Sequence, residues 1–306
     1  MSTQAVTHAV SIHEMRKSFG LAFNLGPVSL DVPRGAICAL IGPNGAGKTT
    51  FMNLLMGIGR PDYGSAQLVG YDIRSNEVEV KRRVAYVSPD LSYRAWGTVG
   101  RAIDFVSGFY PDWNAERCEL LQFHLGLHRG DRIGTLSFGS RVKLATLLAL
   151  SRDAELLLLD EPTAGLDPLA RQQLFGELLR FIQDQNRTII ISSHQLADLE
   201  RFADHVAVMQ EGQITAFGAI PDLLDRFVQL DVQLPPNASV FNTGLKVIAR
   251  QQDRARVLLD RWSPQRQSLH DLGIEVFSET PLTLEELFIA LMKTGRLPWH
   301  PRTSAA

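Results

Sequence analysis

The sequence predicts an α/β protein: a parallel sheet covered by helices, interrupted by a helical insertion and followed by a small α/β appendage. Three observations carry this reading. The apolar runs Ala36 to Ile41, Leu156 to Leu159 and Thr188 to Ile191 have strand length and the unbroken apolar character of strands buried on both faces. Segments of helical period lie between them. A glycine-rich turn closes the first run and opens a helix near Lys48.

Taken in order, Val10 to Met15 and Val28 to Val32 alternate as half-buried strands do. The helix after the glycine-rich turn carries Met52, Leu54, Leu55 and Met56. Val84 to Val87 is a further short strand. From Thr98 to about Leu150 the period turns helical, with Ala102, Phe105 and Val106 sharing one face and Leu120, Leu121 and Leu125 another. A helix from about Leu169 to Ile182 separates the last two apolar runs. Near Pro221 the pattern changes. Phe227 to Leu234 and Ala255 to Leu259 read as strands and Gln265 to Leu272 as a helix. Thr283-Leu284-Glu285-Glu286 is a capping box that starts a final helix, with Gly295 placed as its C-cap and a loose tail from Leu297. The expected division is residues 1–224, with a helical subdomain at about 98–150, and an accessory domain at 225–306.

Composition bounds the function. Hydrophobic residues are 45% and charged residues 21% of the 306, enough for an ordinary core. The formal net charge is −2, so no basic field points to a nucleic-acid partner, and Lys81-Arg82-Arg83 reads as a solvated helix face. The two cysteines, Cys38 and Cys118, suggest neither a disulfide framework nor a zinc site and fit a reducing cytosol. Met1 to Val10 has no signal-peptide pattern. No stretch approaches the roughly 20 apolar residues of a membrane span. If the protein serves transport, another chain must supply the path.

Gly42-Pro43-Asn44-Gly45-Ala46-Gly47-Lys48-Thr49-Thr50 matches the phosphate-binding pattern G-x-x-x-x-G-K-[ST], in strand–loop–helix context. Glycines at 42, 45 and 47 let the backbone turn its N–H groups toward phosphate oxygens. The helix start adds its positive dipole end. Lys48 supplies a full charge to the β- and γ-phosphates, and the Thr49 hydroxyl is a ligand for Mg²⁺. The run Leu156 to Leu159 ends in Asp160 and Glu161. Because successive strand residues point to opposite sides, the two acids can do different work. Asp160 is placed to hold the Mg²⁺ shell, and Glu161 to orient and deprotonate an attacking water.

At this point the chain resembles the ATP-binding cassette family over roughly residues 10 to 220, with the motifs in the family's order. Leu136-Ser137-Phe138-Gly139-Ser140 resembles the signature motif, Asp160-Glu161-Pro162-Thr163 the Walker B end, and Ala164-Gly165-Leu166-Asp167 the D-loop. His194 looks like the switch histidine, beside the γ-phosphate and the water. Phe19 stands where the family stacks an aromatic on adenine, with plain core packing as its alternative. The resemblance implies a P-loop cassette with a mixed-sheet core and a helical subdomain. It also implies an ATPase with ATP and Mg²⁺ as its ligands.

In such a cassette the signature binds the γ-phosphate of an ATP held on the P-loop of a second cassette. Two copies, or a copy and a sister subunit, close around two ATPs under separate membrane-spanning subunits at the cytoplasmic face. The helix behind the signature is expected from about Arg141 to Leu150, with Ser137 alternatively an ordinary N-cap.

Two departures stand out. The family's usual Gln after Val84 to Val87 is replaced by Pro89, with Asp90 beside it as a candidate acid on the metal side. Phe138 and Ser140 replace a Gly and a Gln of the signature. Phe109-Tyr110-Pro111-Asp112-Trp113 resembles a segment of bacterial cassettes with a separately encoded membrane subunit, and the Leu282 to Met292 helix resembles the end of exporter-type cassettes. An exporter ATPase is the leading reading. The competing ones are a soluble machine of the same superfamily, which ATP-dependent binding to RNA or DNA would support, and a non-transporting regulator of a membrane partner. His124 and His128 need no functional role.

Overall fold

The structure is a computed structural model that describes residues 7–88, 92–183, 187–193, 195–234, 246–262, 269 and 273–294. These form two compact units, Met1–His194 with Met209–Ile214, and Gln195–Val208 with Thr215–Ala306.

The first unit opens with β1 (His8–Ser18) and β2 (Asn24–Pro33), then β3 (Ile37–Ile41) and α1 (Lys48–Leu55). Next come β4 (Tyr63–Leu68), β5 (Tyr71–Asp72), α2 (Glu77–Arg83) and β6 (Val84–Val87). The helical insertion is α3 (Val99–Ser107), α4 (Ala115–Leu125) and α5 (Phe138–Leu150), after which β7 (Leu156–Asp160), α6 (Pro168–Gln183) and β8 (Thr188–Ser192) complete the unit. The outer strands form an antiparallel sheet in the order β2-β1-β4-β5. The core strands pair in parallel in the order β3-β8-β7-β6. Every residue of β3, β7 and β8 is buried. Unbroken apolar runs are what two covered faces demand.

This order matters for the site. β8 comes last in the unit's chain order yet inserts between β3 and β7, so the carboxyl ends of three strands from distant parts of the chain lie side by side. Such ends are where open α/β sheets place ligands.

The apolar faces of the insertion differ from the expectation. In α3 the buried residues are Val99, Gly100, Ala102 and Ile103; Phe105 is exposed. Phe105 instead joins an aromatic row, with ring centroids 5.1 Å from Trp96 and 5.0 Å from Phe109. In α4 Cys118, Leu121 and Leu125 turn inward and Leu120 faces out. Both cysteines are free thiols and buried. Lys81 and Arg83 do lie on a charged helix face, paired with Glu77 and Glu79 one turn back, as i,i+4 spacing favours.

The second unit holds α7 (Leu196–Phe202), most of β9 (His205–Gln210) and of β10 (Gln213–Ala219), and α8 (Ile220–Arg226), with Met209–Ile214 grouping with the first unit. β11 (Phe227–Gln233), β12 (Lys246–Gln251), β13 (Arg254–Asp260) and β14 (Glu275–Pro281) make an antiparallel sheet in the order β12-β13-β11-β14. Its covered face is a cluster that includes Val228, Leu230, Val232, Val257 and Leu259. The final helix, α9 (Leu284–Thr294), packs against α7, α8 and β12. Its capping box forms as expected: the Glu286 N–H donates to Thr283 Oγ1 at 3.2 Å and the Thr283 N–H to Glu286 Oε2 at 2.9 Å. Gly295, the tail from Leu297 and the expected helix at 265–272, Leu269 apart, lie outside the described residues.

A buried ion pair fastens α8 to β13. Arg226 donates from Nε to Asp260 Oδ1 at 2.9 Å and from Nη2 to Asp260 Oδ2 at 2.5 Å. Removing one partner strands the other's charge away from water. Arg226→Ala is therefore expected to lower the stability of this unit by about 3 kcal/mol. Urea unfolding followed by circular dichroism reads this as an earlier midpoint; an unshifted midpoint would show that the pair contributes nothing.

Candidate functional site

A cavity of about 620 Å³ opens at the carboxyl ends of β3 and β7, lined by residues 44–50, Asp160, Glu161, Phe19, Ala22 and Phe23. The loop from Gly42 forms as its glycines require. Gly45 and Gly47 have φ of +79° and +104°, values that L side chains rarely adopt. Gly42 is needed for a different reason than the turn: a Cβ there would stand 2.3 Å from the Met209 carbonyl oxygen. Gly47 caps α1 directly, so the N-terminal amides of the helix face the cavity.

Lys48 is 8% exposed, and its Nζ donates to the carbonyls of Gly42 at 2.8 Å and Pro43 at 3.2 Å. Burial pushes the pKa of its ammonium down, and the charges of Glu161 and Asp160 push it partly back. Asp160 is 1% exposed. Both of its oxygens accept hydroxyl protons: Oδ2 from Thr49 Oγ1 and Oδ1 from Ser192 Oγ, each at 2.6 Å.

Glu161 corrects the strand-alternation reading. β7 ends at Asp160, and Glu161 turns left-handed, with φ of +48°. Its direction comes from that turn and not from strand alternation. The Glu161 N–H donates to Ser192 Oγ at 2.9 Å.

Two residues at this site escaped the sequence reading. Ser192 lies opposite Asp160 because the parallel register of β7 and β8 pairs those two positions. Nothing in the one-dimensional pattern marks it. Phe23 faces Phe19 across the turn between β1 and β2, with ring centroids 6.2 Å apart. A pair of phenylalanines bracketing a glycine was the available signal. Phe19 is 46% exposed on the cavity's rim, which excludes core packing as its role.

The signature segment is built as a helix start and is not among the residues lining this cavity. α5 begins at Phe138, three residues earlier than expected, with Ser137 as N-cap accepting from the Ser140 N–H at 3.1 Å. The Ser137 hydroxyl also donates to Ser140 Oγ at 2.9 Å. Leu136 is tied by its carbonyl to Arg141. Gly139 is pressed against the following loop, since a Cβ there would stand 2.6 Å from the Gly165 carbonyl oxygen. In that loop Asp167 Oδ1 accepts from the Ala170 N–H at 2.8 Å and so starts α6. Asp90 with Pro89, and His194, lie outside the described residues.

The family described as "ABC transporter" matches residues 25–164. The Nod factor export ATP-binding protein I of Burkholderia lata is 31% identical, over 94% of this chain and 97% of that protein. The chain belongs to the ABC transporter ATP-binding proteins. The daunorubicin/doxorubicin resistance ATP-binding protein DrrA of Streptomyces peucetius is 28% identical over 95% of the chain and 94% of its own length. Among solved structures, an ATP-binding subunit of an ABC transporter superposes with a TM-score of 0.65 at 26% identity, covering 71% of this chain and 92% of that one. The ADP conformation of the cassette MJ1267 gives 0.58 at 26% identity, covering 69% and 91%. This ABC protein is thus a nucleotide-binding ATPase that energises transport together with membrane permease subunits. Among its described residues no helix is long and apolar enough to cross a membrane.

Proposed function

We propose that this ABC ATP-binding protein drives export, hydrolysing ATP between its own P-loop and the signature helix of a second cassette at the cytoplasmic face. The convergence of Lys48, Thr49, Asp160 and Glu161 on one cavity at the strand ends supports this reading best. Relatives that match nearly the whole chain are named for Nod factor export and for drug resistance, which favours the outward direction.

The residue roles follow from charge and geometry. Amides 44–50 and the start of α1 cradle the phosphates. Lys48 gives up its loop carbonyls and meets the terminal phosphates. Thr49 and Asp160 are hard oxygen donors of the kind Mg²⁺ takes, and a cation with few protein ligands beside substrate phosphates is its usual setting. When bound, Mg²⁺ would neutralise charge on the phosphate oxygens. Thr49 keeps a lone pair for the metal while donating its proton to Asp160. Glu161 takes the proton of the attacking water. Phe19 and Phe23 offer an aromatic wall for the base. Ser137 and Gly139, at the start of α5, present amides and partial positive charge to the partner's nucleotide.

The test is purification from detergent-solubilised membranes followed by reconstitution. A stoichiometric multi-span chain and ATP-dependent efflux are expected; partners that are soluble only would sink the proposal. A second measurement bears on the signature. The methyl of Gly139→Ala must displace the Gly165 loop or the helix start, at about 1–3 kcal/mol. ATP-dependent association should weaken by about tenfold, while nucleotide affinity of the single cassette stays within roughly twofold of the parent. Equal association of parent and variant in sedimentation would contradict the assigned contact.

A further inference from the structure

We propose that Ser192 is a positioning residue that locks the two acids of the site into one fixed relation. Its hydroxyl has one proton to give and lone pairs to receive with. The proton goes to Asp160 Oδ1 at 2.6 Å, and a lone pair accepts the Glu161 N–H at 2.9 Å. One oxygen atom, 0% exposed at the end of β8, therefore touches both acid positions at once.

The consequences differ for the two acids. With Thr49 on Oδ2 and Ser192 on Oδ1, the Asp160 carboxylate is held at both oxygens and cannot rotate without breaking a bond. Glu161 is held through its backbone. It sits at φ of +48°, a conformation that residues other than glycine adopt uncommonly and that surrounding contacts must hold. The bond to Ser192 is such a contact, and it aims the Glu161 side chain toward the cavity it lines. An isolated hydroxyl in a buried strand is disfavoured unless satisfied, and here both of its functions are used within the site. Strand order makes this possible. β8 lies between β3 and β7, so its last residue meets the acid pair while β8 also pairs directly with the strand that leads, through the glycine-rich loop, to Thr49 at the start of α1.

This inference rests on the roles given above to Asp160 and Glu161, and the experiment separates the two. Steady-state ATP hydrolysis and hydrogen–deuterium exchange at the Glu161 amide are measured on the full chain, for Ser192→Ala, Ser192→Cys and, alongside, Glu161→Gln. Ser192→Ala should lower kcat by about 10- to 100-fold, the cost of misplacing a reacting group by about an ångström. KM for ATP should stay within roughly threefold, because the phosphate cradle is untouched. Exchange at the Glu161 amide should speed up by about tenfold as its acceptor is lost. Ser192→Cys fills the site with a slightly larger side chain and a weaker donor and should fall between Ala and Ser; it also carries the test if the alanine variant proves unstable. A parent-like kcat with unchanged exchange, or a rise in KM at unchanged kcat, would overturn the proposal. Parent-like turnover in Glu161→Gln would instead overturn the assignment of the acid itself.

Discussion

Glu161→Gln is expected to cut ATP turnover by about 10²- to 10⁴-fold, the range for a positioned proton acceptor, while leaving nucleotide binding intact. The amide side chain keeps the shape of the carboxylate but cannot take a proton at neutral pH. The backbone is undisturbed, since the bond that holds residue 161 runs from its N–H to Ser192. Lys48, Thr49 and Asp160 remain as they are. Nucleotide should therefore enter and draw two cassettes together, but hydrolysis no longer reopens them. Size-exclusion chromatography with light scattering should show a stable dimer with ATP and a monomer without. Turnover equal to the parent, or a monomer under saturating ATP, would rule out the assigned role.

Lys48→Ala is expected to act one step earlier. Among the described residues lining the cavity the ammonium is the one side-chain cation, and it sits nearly buried against the loop's own carbonyls. Its charge-assisted bonds to phosphate are worth about 2–3 kcal/mol, so ATP affinity should fall by about 10²-fold. Hydrolysis should fall below detection. Truncation also frees the Gly42 and Pro43 carbonyls, which loosens the loop as well as discharging it. Isothermal titration distinguishes this from the Glu161 variant: binding is lost here and kept there. Tight ATP binding by the alanine variant would contradict the cradle.

Much of the site was legible because its chemistry is local. A turn built on Gly45 and Gly47, a lysine and threonine at a helix start, and two acids at the end of an apolar strand are each contiguous in the chain. The capping box at Thr283 was legible for the same reason. What escaped was whatever depends on a neighbour far away in sequence. β12 and β14 are edge strands; β14 is exposed at every position, so no alternation of burial marks it. On α3 Ala102 faces inward as read and Phe105 does not, because aromatic packing of Phe105 with Trp96 and Phe109 competes with burial. Gly139 reads as a helix-start glycine, yet its necessity comes from the Gly165 carbonyl, in a loop that reaches it only in the folded chain.

The sequence by itself determined that this chain is an α/β nucleotide-binding protein, because backbone curvature, helix dipole and charge over nine consecutive residues suffice to make a phosphate cradle; the order of its later motifs carried the resemblance to the ABC family. Only the tertiary structure decided how the two acids are held. That depends on β8 inserting between β3 and β7, which brings Ser192 opposite Asp160. The physical reason is that strand pairing is non-local: hydrogen bonds and burial across the sheet select the neighbour, and an apolar run carries no mark of which other run will lie beside it.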